Sequence, residues 1–294
     1  MILNAVIRGE GSPLVLLHGL FGHAVNFGTV QRRLAASHRV LALDLRNHGA
    51  SPHAAEMTYP AMAADVVETL SAHHIPPCAV LGHSMGGKVA MTLALTNPQS
   101  VTRLIVADIA PVPNHPHFGN HIAAMQAIPL TPGLTRPLAD AALAEIEPDP
   151  RVRGFLLQNL RLGPNPAERT GPAERTGPAW RTGPAWRTGP AWRTGPAERT
   201  GLDEIGPAWR IGLDEIAAAL PIIESWPDLA GLTYPGPTLF IAGARSDYIR
   251  PEHRPIIRAL FPAARIATLK DAGHWLHADA PEAFVALVEA FLKP

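Results

Sequence analysis

Residues 78–96 contain an apolar stretch, a glycine-rich corner and a second apolar stretch, and this order restricts the fold more than any other feature. Residues 78–81 are typical of a short buried strand, and residues 86–96 have the spacing of a buried helix. The corner reads Gly-His-Ser-Met-Gly, in which Gly82 and Gly86 permit a tight turn that lifts the Ser84 hydroxyl clear of a sheet. The segment therefore predicts a nucleophilic serine at a strand end; the alternative is a structural glycine-rich turn.

Apolar strands alternate with helical stretches along most of the chain. The other predicted strands are residues 3–8, 14–17, 39–45, 104–107, 238–242 and 265–269. The other predicted helices are residues 26–37, 59–73, 255–260 and 281–292. This alternation predicts an α/β fold with a mostly parallel central sheet and helices on both faces.

The alternation weakens in the middle of the chain, where prolines recur from Pro111 onward. We interpret residues 112–228 as a cap inserted into a core that comprises residues 1–111 and 229–294. Ligand sites of such sheets lie at the carboxyl ends of the strands. The cap is therefore expected to cover the predicted serine.

A six-residue repeat occupies residues 163–205, inside this cap, with units that read Gly-Pro-Ala-(Glu or Trp)-Arg-Thr. Residues 206–216 contain both sequence elements of the repeat, so local duplication of that stretch is its simplest origin. Gly-Pro in every unit prevents a helix, and the period is far shorter than a solenoid unit. We predict a disordered low-complexity insertion without function; the alternative is a partner-binding surface built on Trp180, Trp186 and Trp192.

The composition excludes several classes of protein. Lys+Arg and Asp+Glu number 25 each among 294 residues, so no net charge favours nucleic acid or an anionic membrane. Cys78 is the single cysteine, which excludes an intrachain disulfide and a multi-cysteine zinc site. No apolar run approaches the roughly 20 residues of a membrane helix, and the start lacks the pattern of a signal peptide. We predict a soluble, cytoplasmic protein with no metal and, for want of a nucleotide-binding glycine loop, no cofactor.

A nucleophilic serine needs a base, and three histidines compete for this role. His274 lies in a Gly-His corner between the last strand and the last helix, from which it can reach Ser84. His277 is expected to face the final helix, and the side chain of His83 is expected to point away from its neighbour. We therefore predict that His274 is the base.

The base in turn needs an orienting carboxylate, and two aspartates qualify. Asp108 follows the strand at 104–107, and Asp247 follows the strand at 238–242. Both stand between the serine and the histidine in the chain, which is the order expected when the nucleophile lies at such a strand-to-helix corner. The residues alone favour neither.

Backbone N–H groups are the expected stabilisers of a negatively charged intermediate. His18 and Gly19 turn the chain sharply after the strand at 14–17, so that the N–H of Leu20, or that of Phe21, faces Ser84. The N–H of Met85, at the start of the following helix, is the second donor.

Five motifs together resemble the α/β-hydrolase family, and within it the YbfF/ABHD11-type esterases. They are His-Gly-Leu-Phe-Gly at 18–22, Asp-Leu-Arg-Asn-His-Gly at 44–49, Gly-His-Ser-Met-Gly-Gly-Lys at 82–88, Asp-Ile-Ala-Pro at 108–111 and Gly-His-Trp-Leu-His at 273–277. The resemblance covers nearly the whole chain outside 163–205. It implies a carboxylesterase or acyl-thioester hydrolase that uses Ser84 and His274. It also favours Asp108, because members of this branch often lack an acid at the position of Asp247.

The predicted reaction is hydrolysis of a small-molecule ester or thioester through an acyl-enzyme. Apolar cap residues suggest short-to-medium acyl groups; they are Phe118, Met125, Phe155 and Leu156. Serine rather than aspartate at position 84 argues against haloalkane and epoxide hydrolases. A C–C bond hydrolase, a perhydrolase and a non-catalytic binding protein of the same fold are the alternatives.

Overall fold

The computed structural model describes residues 1–114, 118–162 and 206–293. The strands are β1 (Ala5–Arg8), β2 (Ser12–Leu17), β3 (His38–Leu43), β4 (Cys78–His83), β5 (Val101–Ala107), β6 (Leu160–Arg161), β7 (Ala208–Trp209), β8 (Thr238–Gly243) and β9 (Ala264–Leu269). The α-helices are α1 (Gly28–Leu34), α2 (Tyr59–Ala72), α3 (Met85–Thr96), α4 (Gly119–Ala127), α5 (Arg136–Ala144), α6 (Pro150–Leu157), α7 (Leu213–Glu224), α8 (Arg254–Leu260), α9 (Leu276–Asp279) and α10 (Pro281–Leu292).

Seven strands form one sheet in the order β1-β3-β2-β4-β5-β8-β9. β1 runs antiparallel to β3, and every other neighbouring pair in this sheet is parallel. The predicted α/β fold with a mostly parallel sheet is thus confirmed. The helix predicted at 26–37 is shorter than expected, because Ala24–Phe27 is a 3-10 turn and α1 ends at Leu34.

Helices cover both faces of this sheet, and the strand side chains alternate between two apolar clusters. Val15 and Leu17 belong to the cluster that contains α2 and α3, whereas Leu14 and Leu16 belong to the cluster that contains α1 and α10. This alternation is the period of two expected of a strand that is buried on both sides. Both faces therefore support the strand ends that carry the site. Within the described ranges, no helix combines the length and the apolar character needed to cross a bilayer.

The cap, residues 112–228, is more regular in its described part than its proline content predicts. It contains α4 to α7. Pro137 and Pro150 lie in the first turns of α5 and α6, where a missing N–H costs no hydrogen bond. The side chains of Thr135 and Asp149 accept hydrogen bonds at the starts of those two helices. The expectation that prolines break up regular structure throughout this segment is therefore wrong, because Pro137 and Pro150 begin helices and Pro221 lies within α7.

Side chains of α2 and α3 hold the end of α7 against the core. The hydroxyl of Tyr59 donates to the carbonyl of Ile223 at 2.5 Å, and Lys88 Nζ donates to the carbonyl of Ser225 at 2.6 Å. Burial lowers the pKa of Lys88 to about 7. The cap is therefore attached to the core through hydrogen bonds to its backbone as well as through apolar contacts.

Strands β6 and β7 form a two-stranded antiparallel pair, which we call the neck, with Leu160 opposite Trp209. The N–H of Arg210 extends it by donating to the carbonyl of Asn159 at 2.8 Å. The repeat at 163–205 lies between the two strands of the neck. Its predicted disorder and the alternative of a tryptophan-lined surface concern residues outside the described ranges.

Candidate active site

The candidate site lies at the carboxyl edge of the sheet, where strained backbone is concentrated. Four of the five described non-glycine residues with positive φ follow the ends of successive strands β2 to β5; they are Phe21, Asn47, Ser84 and Asp108. Residues other than glycine rarely adopt a positive φ. Where they do, the strained residue is found preferentially at a functional site.

Ser84 occupies the corner between β4 and α3 with φ 53° and ψ −120°. The corner is so tight that a Cβ on Gly82 would collide with the carbonyl of Gly86. A Cβ on Gly86 would collide with the carbonyls of Leu17 and His18 at the end of β2. Both glycines are therefore required by close backbone approach, and the turn projects the Ser84 hydroxyl from the sheet edge.

The structure brings His274 and Asp108 to this serine. His274 Nε2 lies 3.0 Å from Ser84 Oγ, and His274 Nδ1 lies 2.8 Å from Asp108 Oδ2. The carboxylate can only accept, so Nδ1 carries the proton and Nε2 is free to accept from the serine hydroxyl. The Asp108 side chain is fully buried, whereas 24% of the His274 side chain is exposed. The imidazole is thus held by a buried carboxylate on one edge, and its other edge is accessible from the pocket.

Backbone and side-chain donors fix the carboxylate of Asp108. The N–H of Gly243, at the end of β8, donates to Oδ1 at 2.9 Å. The hydroxyl of Ser246 donates to Oδ2, the oxygen that also accepts from His274. The N–H of Asp108 donates to the carbonyl of Ile241 at 2.9 Å. These bonds stabilise the charged form of a carboxylate that would otherwise be costly to bury.

Asp247, the second candidate acid, is not brought to the histidine. Its side chain is exposed and borders a separate depression that is also lined with Asn114, Arg250 and His253. No hydrogen bond joins Asp247 to His274 among the described residues. The neighbouring Tyr248 contacts the histidine instead: its ring stacks on the imidazole with centroids 4.1 Å apart and 21° between planes.

Two further histidines surround His274, and burial keeps both neutral. Burial lowers the pKa of His277 to about 4 and that of His83 well below the usual value. His277 packs against Phe284 of the final helix, as expected. His83 Nε2 donates to the carbonyl of His274 at 2.8 Å. Neither neighbour therefore places a positive charge beside His274 at neutral pH.

The expected backbone donors differ in their availability. The N–H groups of Leu20 and Met85 make no hydrogen bond to any described residue and lie in the segments that flank Ser84. A Cβ on Gly19 would lie 3.2 Å from the Cβ of Ser84, so the loop after β2 passes directly beside the serine. The expectation that the Phe21 N–H is an alternative donor does not agree with the structure, because it donates to His48 Nε2 at 3.2 Å.

A pocket of about 630 Å³, including its open mouth, lies above Ser84 and is mainly apolar. Its apolar walls are Phe21, Phe27, Phe118, Val152, Phe155, Leu156 and Trp275. The rings of Phe155 and Trp275 lie 5.5 Å apart, so the cap and the loop that carries His274 close one side of the pocket together. Met125, which was expected to line it, is fully buried in the core cluster instead.

Sequence reasoning missed Ser246 and Tyr248, which support the histidine and its acid. Both lie in the same loop as Asp247, and their proximity to a candidate acid was the one available signal. The residue types do not reveal which of three neighbouring polar side chains turns inward. In the described part of the chain, no group of three or more His, Cys, Asp or Glu side chains is arranged to hold a metal ion.

Comparisons with known proteins agree on one family. The family with the alpha/beta hydrolase fold matches residues 12–281. The sn-1-specific diacylglycerol lipase ABHD11 of Danio rerio is 37% identical, over 98% of this chain and 80% of its own length. The esterase YbfF of Escherichia coli is 31% identical, over 97% of this chain and 94% of its own. The solved structure of an esterase from a marine microorganism superimposes with a TM-score of 0.82 at 31% identity, covering 99% of each chain.

Proposed function

This chain belongs to the α/β-hydrolase family, in the branch that includes ABHD11 and YbfF, and we propose that it is a serine hydrolase that uses Ser84, His274 and Asp108. The observation that carries this proposal is the continuous hydrogen-bonded chain from Ser84 Oγ through His274 to Asp108, with distances of 3.0 and 2.8 Å. The relatives named above are esterases and lipases, which supports a carboxylesterase-type activity.

In the first half of the reaction, His274 Nε2 takes the proton from Ser84 Oγ as the oxygen attacks the carbonyl carbon of an ester or thioester. The substrate carbonyl oxygen becomes an oxyanion that the N–H groups of Leu20 and Met85 stabilise. Asp108 keeps the imidazole in the required tautomer and stabilises the imidazolium. Collapse of the intermediate transfers the proton from His274 to the leaving alcohol or thiol and leaves an acyl-serine.

In the second half, His274 removes a proton from water, and the hydroxide attacks the acyl-serine. The same N–H groups stabilise the second oxyanion. His274 then returns a proton to Ser84 Oγ, which releases the carboxylic acid and restores the resting enzyme.

We further propose that the acyl group is short to medium in length and enters the apolar pocket beneath the cap. Phe118, Phe155 and Leu156 line this pocket, as expected from their place in the cap. A series of p-nitrophenyl esters with two to sixteen acyl carbons tests this proposal. We expect kcat/KM to peak at an intermediate length and to fall for the longest chains; a maximum at sixteen carbons would contradict it.

The experiment that tests the function is labelling with a fluorophosphonate, read by the mass of the intact protein. The reagent phosphonylates an activated serine that lies beside an oxyanion hole, so wild type should gain a single adduct and Ser84→Ala none. Ser71→Ala is the control, because Ser71 is an exposed serine near the end of α2. A folded wild-type protein that stays unlabelled would favour the alternative of a non-catalytic binding protein.

A further inference from the structure

Three consecutive peptide groups in the loop after β2, residues 18–22, are each held by a side chain. We call this segment the oxyanion loop, because it carries the Leu20 N–H. Two of the side chains, His18 and His48, are buried histidines of the core, and the third, Asn159, belongs to the cap.

The peptide between Gly19 and Leu20 is held through its carbonyl. Gly19 O accepts from the N–H of Gly22 at 2.9 Å and from His18 Nδ1 at 2.8 Å. In a trans peptide the N–H points opposite to the carbonyl. Fixing Gly19 O therefore fixes the direction of the Leu20 N–H. His18 is itself held, because its Nε2 accepts from the N–H of Leu45 at 2.9 Å.

The peptide between Leu20 and Phe21 is held through its N–H, which donates to His48 Nε2 at 3.2 Å. His48 Nδ1 lies 2.9 Å from the carbonyl of Arg46, which can only accept, so the proton lies on Nδ1 and Nε2 remains an acceptor. Burial lowers the pKa of His48 to about 3, which preserves this acceptor at neutral pH.

The peptide between Phe21 and Gly22 is held from the cap. Phe21 O accepts from Asn159 Nδ2 at 2.8 Å and from Gln158 Nε2 at 3.2 Å. Asn159 is fully buried, and it lies at the end of α6, directly before the neck. Phe21 has φ 60°, a conformation that a phenylalanine does not keep without such restraints.

We propose that His48 and Asn159 are positioning residues of the oxyanion hole, which hold the peptides on either side of Phe21 and thereby orient the Leu20 N–H. They touch neither substrate nor Ser84, and they act through the loop backbone. The cap consequently contributes to transition-state stabilisation as well as to the walls of the pocket. This inference rests on the proposed function.

The test compares two substitutions at one position. In His48→Gln, the amide oxygen reaches the place of Nε2 and can still accept from the Phe21 N–H. In His48→Asn, the shorter side chain reaches only the place of Nδ1, so this acceptor is lost. Asn159→Leu removes the donor to Phe21 O at similar volume. His53→Gln is the matched control, because His53 is an exposed histidine in the same turn.

The readout is kcat and KM for an ester and for its thionoester, in which sulfur replaces the carbonyl oxygen. Sulfur accepts hydrogen bonds poorly. The ratio of the ester rate to the thionoester rate therefore measures stabilisation by the oxyanion hole and not the general integrity of the site. We expect His48→Asn and Asn159→Leu to lower kcat for the ester about 10- to 100-fold, with KM nearly unchanged and a smaller loss for the thionoester. His48→Gln and His53→Gln should keep the wild-type ratio.

Thermal unfolding of each variant shows whether it is folded. If His48→Asn does not fold, the kinetics of Asn159→Leu decide the test. Equal losses for ester and thionoester in the folded variants, or unchanged kcat, would overturn the inference while leaving the proposed function intact. A wild-type protein that hydrolyses neither substrate would instead overturn the proposed function itself.

Discussion

The carboxyl ends of the neighbouring strands β5 and β8 each precede an aspartate, yet only one aspartate reaches the histidine. Asp108 follows β5 directly, has φ 52°, and is fully buried with its carboxylate on His274 Nδ1. Asp247 lies four positions beyond Gly243, the last residue of β8, and is exposed. The two aspartates share residue type and chain order. The distance of each from its strand end thus distinguishes the candidate acid from the surface charge.

The loop after β8 nevertheless supports the site through the residues on either side of Asp247. Ser246 donates to the Asp108 carboxylate, and the ring of Tyr248 stacks on His274. The two strand ends therefore have complementary roles. The end of β5 carries the Asp108 carboxylate, and the loop after β8 orients that carboxylate and the His274 imidazole. Four substitutions test this division.

The largest effect is expected for Asp108→Asn. The amide cannot hold the imidazole in the tautomer that accepts from Ser84, so we expect kcat to fall by about 10³- to 10⁴-fold. Steady-state hydrolysis of a p-nitrophenyl ester measures this loss. A fall of less than tenfold would show that another group orients His274.

A smaller loss, about tenfold in kcat, is expected for Ser246→Ala. The Asp108 carboxylate keeps the N–H of Gly243 and His274 but loses one charge-assisted hydrogen bond. Because this bond acts through Asp108, the substitution should cost little more in the Asp108→Asn background. Full additivity of the two substitutions would contradict the assigned contact.

A still smaller loss, about fivefold in kcat/KM, is expected for Tyr248→Leu. In the proposed mechanism the aromatic face stabilises the imidazolium of His274, and leucine cannot replace it. Burial raises the pKa of the Tyr248 phenol, so the ring faces the histidine as a neutral group. Tyr248→Phe keeps the ring and should retain the wild-type rate; a fivefold loss in that variant as well would contradict the role assigned to the aromatic face.

The smallest effect is expected for Asp247→Asn, which should change kcat/KM by less than about twofold, as is usual for an exposed side chain remote from the chemistry. A loss comparable with that of Asp108→Asn would reverse the comparison of the two strand ends. The same ester assay measures both variants side by side.

Much of this arrangement is predictable from the sequence. The apolar strands and the glycines around Ser84 predict the sheet and the corner, because both depend on local periodicity and close backbone approach. The choice between Asp108 and Asp247 is not predictable from residue types, because it depends on how the chain turns beyond each strand. The contacts of Ser246, His48 and Asn159 are also not predictable, because they join residues far apart in the chain. Asn159, for example, is 138 positions from its partner Phe21.

The neck bears on how the length of the repeat can vary during evolution. Because Leu160 and Trp209 pair with each other, the described residues that flank the repeat lie side by side. Units of six residues can therefore be gained or lost by slippage of a repetitive gene without displacing α6 or α7. We expect natural variants to differ in the number of repeat units while the pairing of Leu160 with Trp209 remains.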